Sequence, residues 1–157
     1  WKYLFKDIAF KIRNKIKQEN ISIEHIGSTS VQGLKSKPII DILIGVSSKK
    51  LDNYINPITS LGFKHIKEYE KELPNRRFFL LENRFKKIAH IHLVNIDSKW
   101  FRRHIAFRDE LRSNKIIRQK YENLKSQLST KEWENGNQYS DAKTKFIRSI
   151  ERDIGVS

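Results

Sequence analysis

Along the opening of the chain, Leu4, Ile8, Ile12 and Ile16 recur every four residues with Phe5 beside them, while Lys6, Lys11 and Lys15 fall elsewhere. That period predicts an amphipathic helix ending near Asn20. Ile21 to Ile26 then alternates well enough for a short strand, and the small-residue run Gly27-Ser28-Thr29-Ser30 follows it as a turn. Pro38 rules out continued helix, and the branched apolar residues of 39–46 occupy both faces, as in a strand inside a sheet. A helix is expected over about 49–61, capped by Ser47 or Ser48, with Leu51, Ile55, Ile58 and Leu61 inward, Pro57 in its middle and Gly62 at its end. A shorter strand is expected at 63–66, and two longer ones over 77–82 and 88–94, joined by residues 83–87. From Asp97-Ser98 the pattern stays helical: about 98–113, 115–128 and 138–153, broken at Ser113-Asn114 and by the polar 129–137 segment. The expected class is α+β in one domain over 1–157, with a mixed sheet and N-terminal helix in about 1–97 and a helical tail in about 98–154.

Charge adds a partner to this picture. Thirty-two Lys and Arg stand against eighteen Asp and Glu, a formal net charge of +14 that points to a nucleotide, a nucleic acid or an anionic surface. A lysine-rich solvated surface is the alternative. With no cysteine, disulfides and thiolate metal sites are excluded, which leaves carboxylates and five histidines as ligands and fits a reducing, cytoplasmic compartment. No apolar run reaches the roughly 20 residues of a membrane helix, and Trp1-Lys2-Tyr3-Leu4-Phe5 does not open a signal peptide, so a soluble protein with no membrane partner is expected. The start at Trp1 rather than a methionine predicts a short native segment ahead of it.

Candidate chemistry gathers around Asp41, a carboxylate among isoleucines that is costly to bury without a partner. Alternation places Asp41 and Leu43 on one face of their strand, and His90 and His92 on one face of theirs. If the two strands pair, Asp41, His90 and His92 converge. Such a set can hold a divalent metal, the imidazoles favouring Mn²⁺, Zn²⁺ or Fe²⁺ over Mg²⁺; the other reading makes the histidines cross-strand residues or donors to a ligand. Gly27, Ser28, Thr29 and Ser30 form a turn whose backbone can approach a phosphate, with Lys37 nearby. Glu24 and His25 point to opposite faces, so one of them looks into the site. Arg76 and Arg77 alternate likewise, and Arg77 is taken as the ligand-facing one. Arg108, four residues from both His104 and Arg112, is expected to clamp phosphates, unless Asp109 and Glu110 engage it within the helix. Lys143 and Tyr139, also four apart, are placed to close over the same cleft. Trp100, Phe101, Phe107, Trp133 and Phe146 fit packing better than base stacking.

The string Glu24-His25-Ile26-Gly27-Ser28-Thr29-Ser30-Val31, then Gly33-Leu34, Lys37-Pro38 and Ile40-Asp41-Ile42, resembles the signature of the GrpB family, placed in the nucleotidyltransferase superfamily whose fold is shared with DNA polymerase β. Arg76-Arg77-Phe78-Phe79, His90-Ile91-His92-Leu93, Ala106-Phe107-Arg108-Asp109, Tyr121 with Lys125, and Tyr139 with Lys143 resemble its later blocks, so the likeness runs end to end. The resemblance implies a mixed sheet, a Gly-Ser turn handling a nucleotide's phosphates, and paired carboxylates one residue apart binding two Mg²⁺ ions, with a third from a neighbouring strand. Gly27 and Ser28 match the turn, and twelve residues separate Ser28 from Asp41. Leu43 stands where the second carboxylate belongs, and His90 and His92 where the third is expected. The implied function is binding of a nucleotide or phosphorylated metabolite, with metal-dependent nucleotidyl transfer in a one-metal or histidine-assisted form. Asp41 and His92 would be its catalytic residues, and Asp41, His90 and His92 would hold Mg²⁺ or Mn²⁺, or Zn²⁺. The alternative is a catalytically inactive module that binds nucleic acid or a protein partner.

Overall fold

The structure is a computed structural model, and it describes residues 1–17, 20–47, 50–84, 86–132 and 136–156. In chain order the elements are helix α1 (Lys2–Lys15), strands β1 (Ile21–Ile26) and β2 (Ile40–Val46), helix α2 (Ile55–Thr59), strands β3 (Lys64–His65), β4 (Arg76–Asn83) and β5 (Lys86–Asn95), and helices α3 (Lys99–Ser113), α4 (Lys115–Ser129) and α5 (Gly136–Asp153). The sheet order is β1-β2-β5-β4-β3. Only β2 and β5 run parallel; the other pairs are antiparallel. This is the α+β class expected, with its mixed sheet, N-terminal helix and helical tail.

Period-two alternation assigns each strand two faces. Ile40, Ile42 and Ile44 of β2 and Ile91 and Leu93 of β5 pack with Ile8 and Ile12 of α1 and Ile58 of α2. Each of these buried side chains contributes about 1.5–3 kcal/mol of transfer free energy. Leu43 and Val94 point the other way and meet Ile26, Trp100 and Phe101. Gly45 lets α3 lie this close, since a Cβ on it would come within 2.5 Å of the Phe101 ring.

Local chemistry sets the helix ends. Ser98 accepts from the Phe101 amide at 3.1 Å. Asn114 both ends α3 and starts α4, its side-chain oxygen accepting from the Ile116 and Ile117 amides. The expected helix over 49–61 is replaced by a 3₁₀ turn, Leu51–Tyr54, and the short α2. Pro57 explains the difference: as the third residue of a helix starting at Ile55 it interrupts no intrahelical bond, whereas deep inside a longer helix it would remove one and clash. The strand expected over 63–66 contracts to Lys64–His65. Ser48, Phe85 and Trp133, which carried a cap, part of a connection and a packing role, lie outside the described residues. Among the described residues no helix is long and apolar enough to cross a membrane.

The tail is tied to itself by a buried carboxylate. Glu151, only 1% exposed, takes Arg148 Nη1 at 2.6 Å, and Arg103 Nε approaches it to 2.9 Å off the N–H axis. Removing one partner of a buried pair strands the other charge. Glu151→Ala is therefore expected to lower stability by roughly 3 kcal/mol, read as a reduced urea midpoint at unchanged slope; a loss below about 0.5 kcal/mol, the scale of an exposed pair, would show that the carboxylate does not anchor α5.

Candidate functional site

A cleft opens on the sheet face that carries α3, α4 and α5. Asp41 of β2 and His90 of β5 are register partners on its floor, and His90 Nδ1 lies 3.0 Å from Asp41 Oδ1. A carboxylate only accepts, so Nδ1 carries the proton, and in the tautomer this selects the lone pair lies on Nε2. Gly27 borders Asp41 with φ 69° and ψ −176°, a conformation essentially confined to glycine. A Cβ at this position would run into Asp41 Oδ2.

The four turn residues divide their work. Ser28 Oγ faces the cleft and accepts from Lys125 Nζ at 3.2 Å. Thr29 is buried; its hydroxyl donates to the Ile39 carbonyl at 3.2 Å and must then accept from His25 Nε2 at 3.0 Å. Ser30 Oγ donates back to the Gly27 carbonyl at 2.7 Å. Thr29 and Ser30 thus hold the turn with hydroxyls expected to meet phosphate.

Two lobes share the centre formed by Ser28, Asp41, His90 and Lys143. One, of about 660 Å³, is ringed by Lys35, Lys37, Lys125 and Lys143. Lys143 Nζ stands 4.4 Å from the Tyr139 ring centre and Lys37 Nζ 5.8 Å from it, and both Tyr139 and Lys143 line this lobe. Burial pushes the Lys125 ammonium down to about 8 even though Glu122 opposes the shift, and Lys143 adds to it. Burial also lowers Lys143, with Asp41 pulling the other way. Among the described residues neither lysine makes an ion pair with a carboxylate.

The second lobe, about 580 Å³, is more apolar and runs over Phe78, Phe107 and Leu111 towards Arg76. Arg76 Nη1 lies 3.1 Å from His92 Nδ1. An arginine only donates, so His92 Nδ1 accepts and the ring is neutral; burial holds its pKa well below the usual value, and the Arg76 charge adds to that. His92 is therefore committed to Arg76, packed between Phe78 edge-on and a tilted Trp100, and is not the second imidazole facing Asp41. Among the described residues no group of three or more His, Asp or Glu is placed to hold a metal ion, so the set Asp41, His90 and His92 does not assemble as a ligand sphere.

The arginines depart furthest from expectation. Arg77 points to the other face, where Nε donates to Asp52 at 2.6 Å and Nη1 to the Pro74 carbonyl. Arg108 borders the cleft but is bound by Glu24 at 2.6 Å and Asp109 at 2.8 Å. Burial opposes its charge, and the hydrogen bonds to those two carboxylates more than offset this, raising its pKa. Arg108 thus takes the intrahelical reading, extended by Glu24, the member of the Glu24/His25 pair that faces the helices. Arg76 and Lys125 are the cleft-lining side chains that spacing did not single out. The Arg76/Arg77 alternation narrowed the choice to two; nothing local marks Lys125, which reaches Ser28 across 97 residues.

A family model described as GrpB protein matches residues 1–153. The chain is 34% identical to the glutamate-rich protein GrpB of Alkalihalophilus pseudofirmus over 96% of its own length and 88% of that protein's. The crystal structure of conserved protein GrpB from Enterococcus faecalis superposes with TM-score 0.81 at 34% identity, covering 98% of this chain and 91% of that one. A cytoplasmic RNA terminal U-transferase superposes far more loosely, with TM-score 0.44 and 8% identity over 80% of this chain and 39% of that one.

His25 gives this region a pH signature. Burial first, then the Arg112 charge, takes it from an ordinary 6.5 down to about 4. Below 6.5 the unfolded chain therefore binds the proton that the folded chain refuses, and stability falls as pH drops from 6.5 through 4. For His25 the loss is roughly 3 kcal/mol, and half-buried His92 and His104, also lowered, add in the same direction. Denaturant titrations at pH 7, 5.5 and 4.5 are expected to show this fall, with a shallower one in His25→Gln; identical slopes in the two proteins would refute the assignment.

Proposed function

The chain belongs to the GrpB family, and on that footing we propose that its cleft binds a nucleotide, or another phosphorylated small molecule, with the phosphates between the Gly27–Ser28 turn, Lys37, Lys125 and Lys143. The observation that carries this is the lysine lobe: Lys125 and Lys143 are half-buried beside the turn, and their nearest partners are a hydroxyl, a carbonyl and an aromatic ring. Holding ammonium groups there without a direct ion pair costs free energy that a bound polyanion returns.

Nucleotidyl transfer is the reaction this arrangement suits. An acceptor hydroxyl at the meeting point of the lobes would attack the α-phosphorus, its proton passing to His90 Nε2 while Asp41 steadies the Nδ1–H side. The phosphorus–oxygen bond to pyrophosphate breaks, and Lys125 and Lys143 receive the departing charge. The described ligand set does not suit a resident metal, so the chain's own part is to bind phosphate, orient the acceptor and accept its proton.

With Mg²⁺ present, at least one nucleoside triphosphate is expected to raise the melting temperature, the stabilisation reaching about 2.7 kcal/mol at a hundredfold excess over Kd. Lys125→Ala and Lys143→Ala should each weaken binding about 10- to 100-fold, the scale of a charge-assisted hydrogen bond, while Arg77→Ala leaves it unchanged. No shift with any of the four triphosphates overturns the proposal. Affinity for single-stranded RNA that collapses with salt and survives both lysine changes and Asp41→Ala would favour the nucleic-acid-binding alternative instead.

A further inference from the structure

The second lobe holds a charge that the nucleotide reading leaves unused. Arg76 rises from β4 with its Nε buried and unbonded, and among the described residues its one polar side-chain contact is the His92 lone pair. Phe78 and Trp100 flank the guanidinium at 5.5 and 5.9 Å from their ring centres. Arg77, Arg103 and Arg108, comparably enclosed, each have a carboxylate within 4 Å, whereas among the described residues Arg76 has none. Glu72, on the wall of the same lobe, stays beyond ion-pair distance. A guanidinium in this state is fixed in orientation by His92 and two rings, with a donor left for something absent from the chain.

We infer that Arg76 receives the carboxylate of a small organic acid, which occupies the apolar lobe beside Asp41 and His90 as the second ligand of the cleft. Charge selects the class. One unmatched guanidinium balances one negative charge, and its planar fork fits a carboxylate through two parallel bonds. A phosphate dianion finds its match among the several lysines of the other lobe. Phe78, Phe107 and Leu111 are among the side chains that line the lobe, which favours an aromatic or aliphatic body behind the carboxylate. His92 acts through Arg76, as a positioning residue whose Nδ1 keeps the guanidinium turned into the lobe. This rests on the nucleotide reading only for the acid's role as acceptor; its binding stands independently.

Phenylacetate serves as a probe, with uncharged phenylacetamide and inorganic phosphate as comparisons, followed by the Arg76 Nε–H resonance in nuclear magnetic resonance spectra of the full protein. Phenylacetate is expected to shift that resonance saturably, phenylacetamide to bind at least tenfold more weakly, and phosphate to leave Arg76 unmoved while perturbing Lys125. Arg76→Met should abolish phenylacetate binding and keep nucleotide binding, and Lys125→Ala should do the reverse, so the two readings fail separately. If Arg76→Met does not fold, the wild-type resonance decides. Equal binding of acid and amide, a phosphate shift at Arg76, or no saturable shift overturns the inference.

Discussion

A carboxylate set into the middle of a sheet has to be met by groups that tolerate or want its charge, and Asp41 imposes that condition on three distant parts of the chain. Residue 27 has no room for a Cβ, which gives the turn its glycine conformation. The neighbouring strand must place a hydrogen-bond donor opposite, which His90 provides because β5 runs parallel to β2 in that register. The last helix supplies Lys143, whose charge Asp41 favours against burial. Turn, neighbouring strand and last helix each answer to one half-buried carboxylate.

The net charge of +14 is unevenly used. Arg77, Arg103, Arg108 and Arg148 are structural, each bound to a carboxylate that joins two turns or two elements. Several cationic groups around the cleft, Arg76, Lys37, Lys125 and Lys143 among them, lack such a partner among the described residues. A total charge says little about which cations bind ligand; the pairing pattern says more.

Most of the fold was legible because periodicity is a local property. β2, β5 and the three tail helices follow directly from where the isoleucines, Ser98 and Asn114 fall. The 49–61 segment was misread where two local signals compete, an apolar helical period and Pro57, and the proline prevailed by shortening the helix. The site was legible in its turn and in the Asp41–His90 pair, since strand alternation fixes faces. It was not legible in the choice of Arg76 over Arg77, because face parity reveals which residues share a side and not which side faces the helices. Nor did spacing expose the capture of His92 by Arg76 or of Arg108 by Glu24, both made across elements far apart in sequence.

Those separations bear on when the site comes into being during synthesis. Asp41 meets His90 across 49 residues, Arg108 meets Glu24 across 84, and Lys125 meets Ser28 across 97. A nascent chain that has emerged as far as β2 owns the turn and its carboxylate but no imidazole, and one that has reached β5 still lacks both lysines. Contacts of such long range form late and are lost first when loop-closure entropy is the opposing term. An anionic ligand in the cell would therefore meet a competent cleft only on nearly complete molecules, and its binding would hold the two ends of the chain together.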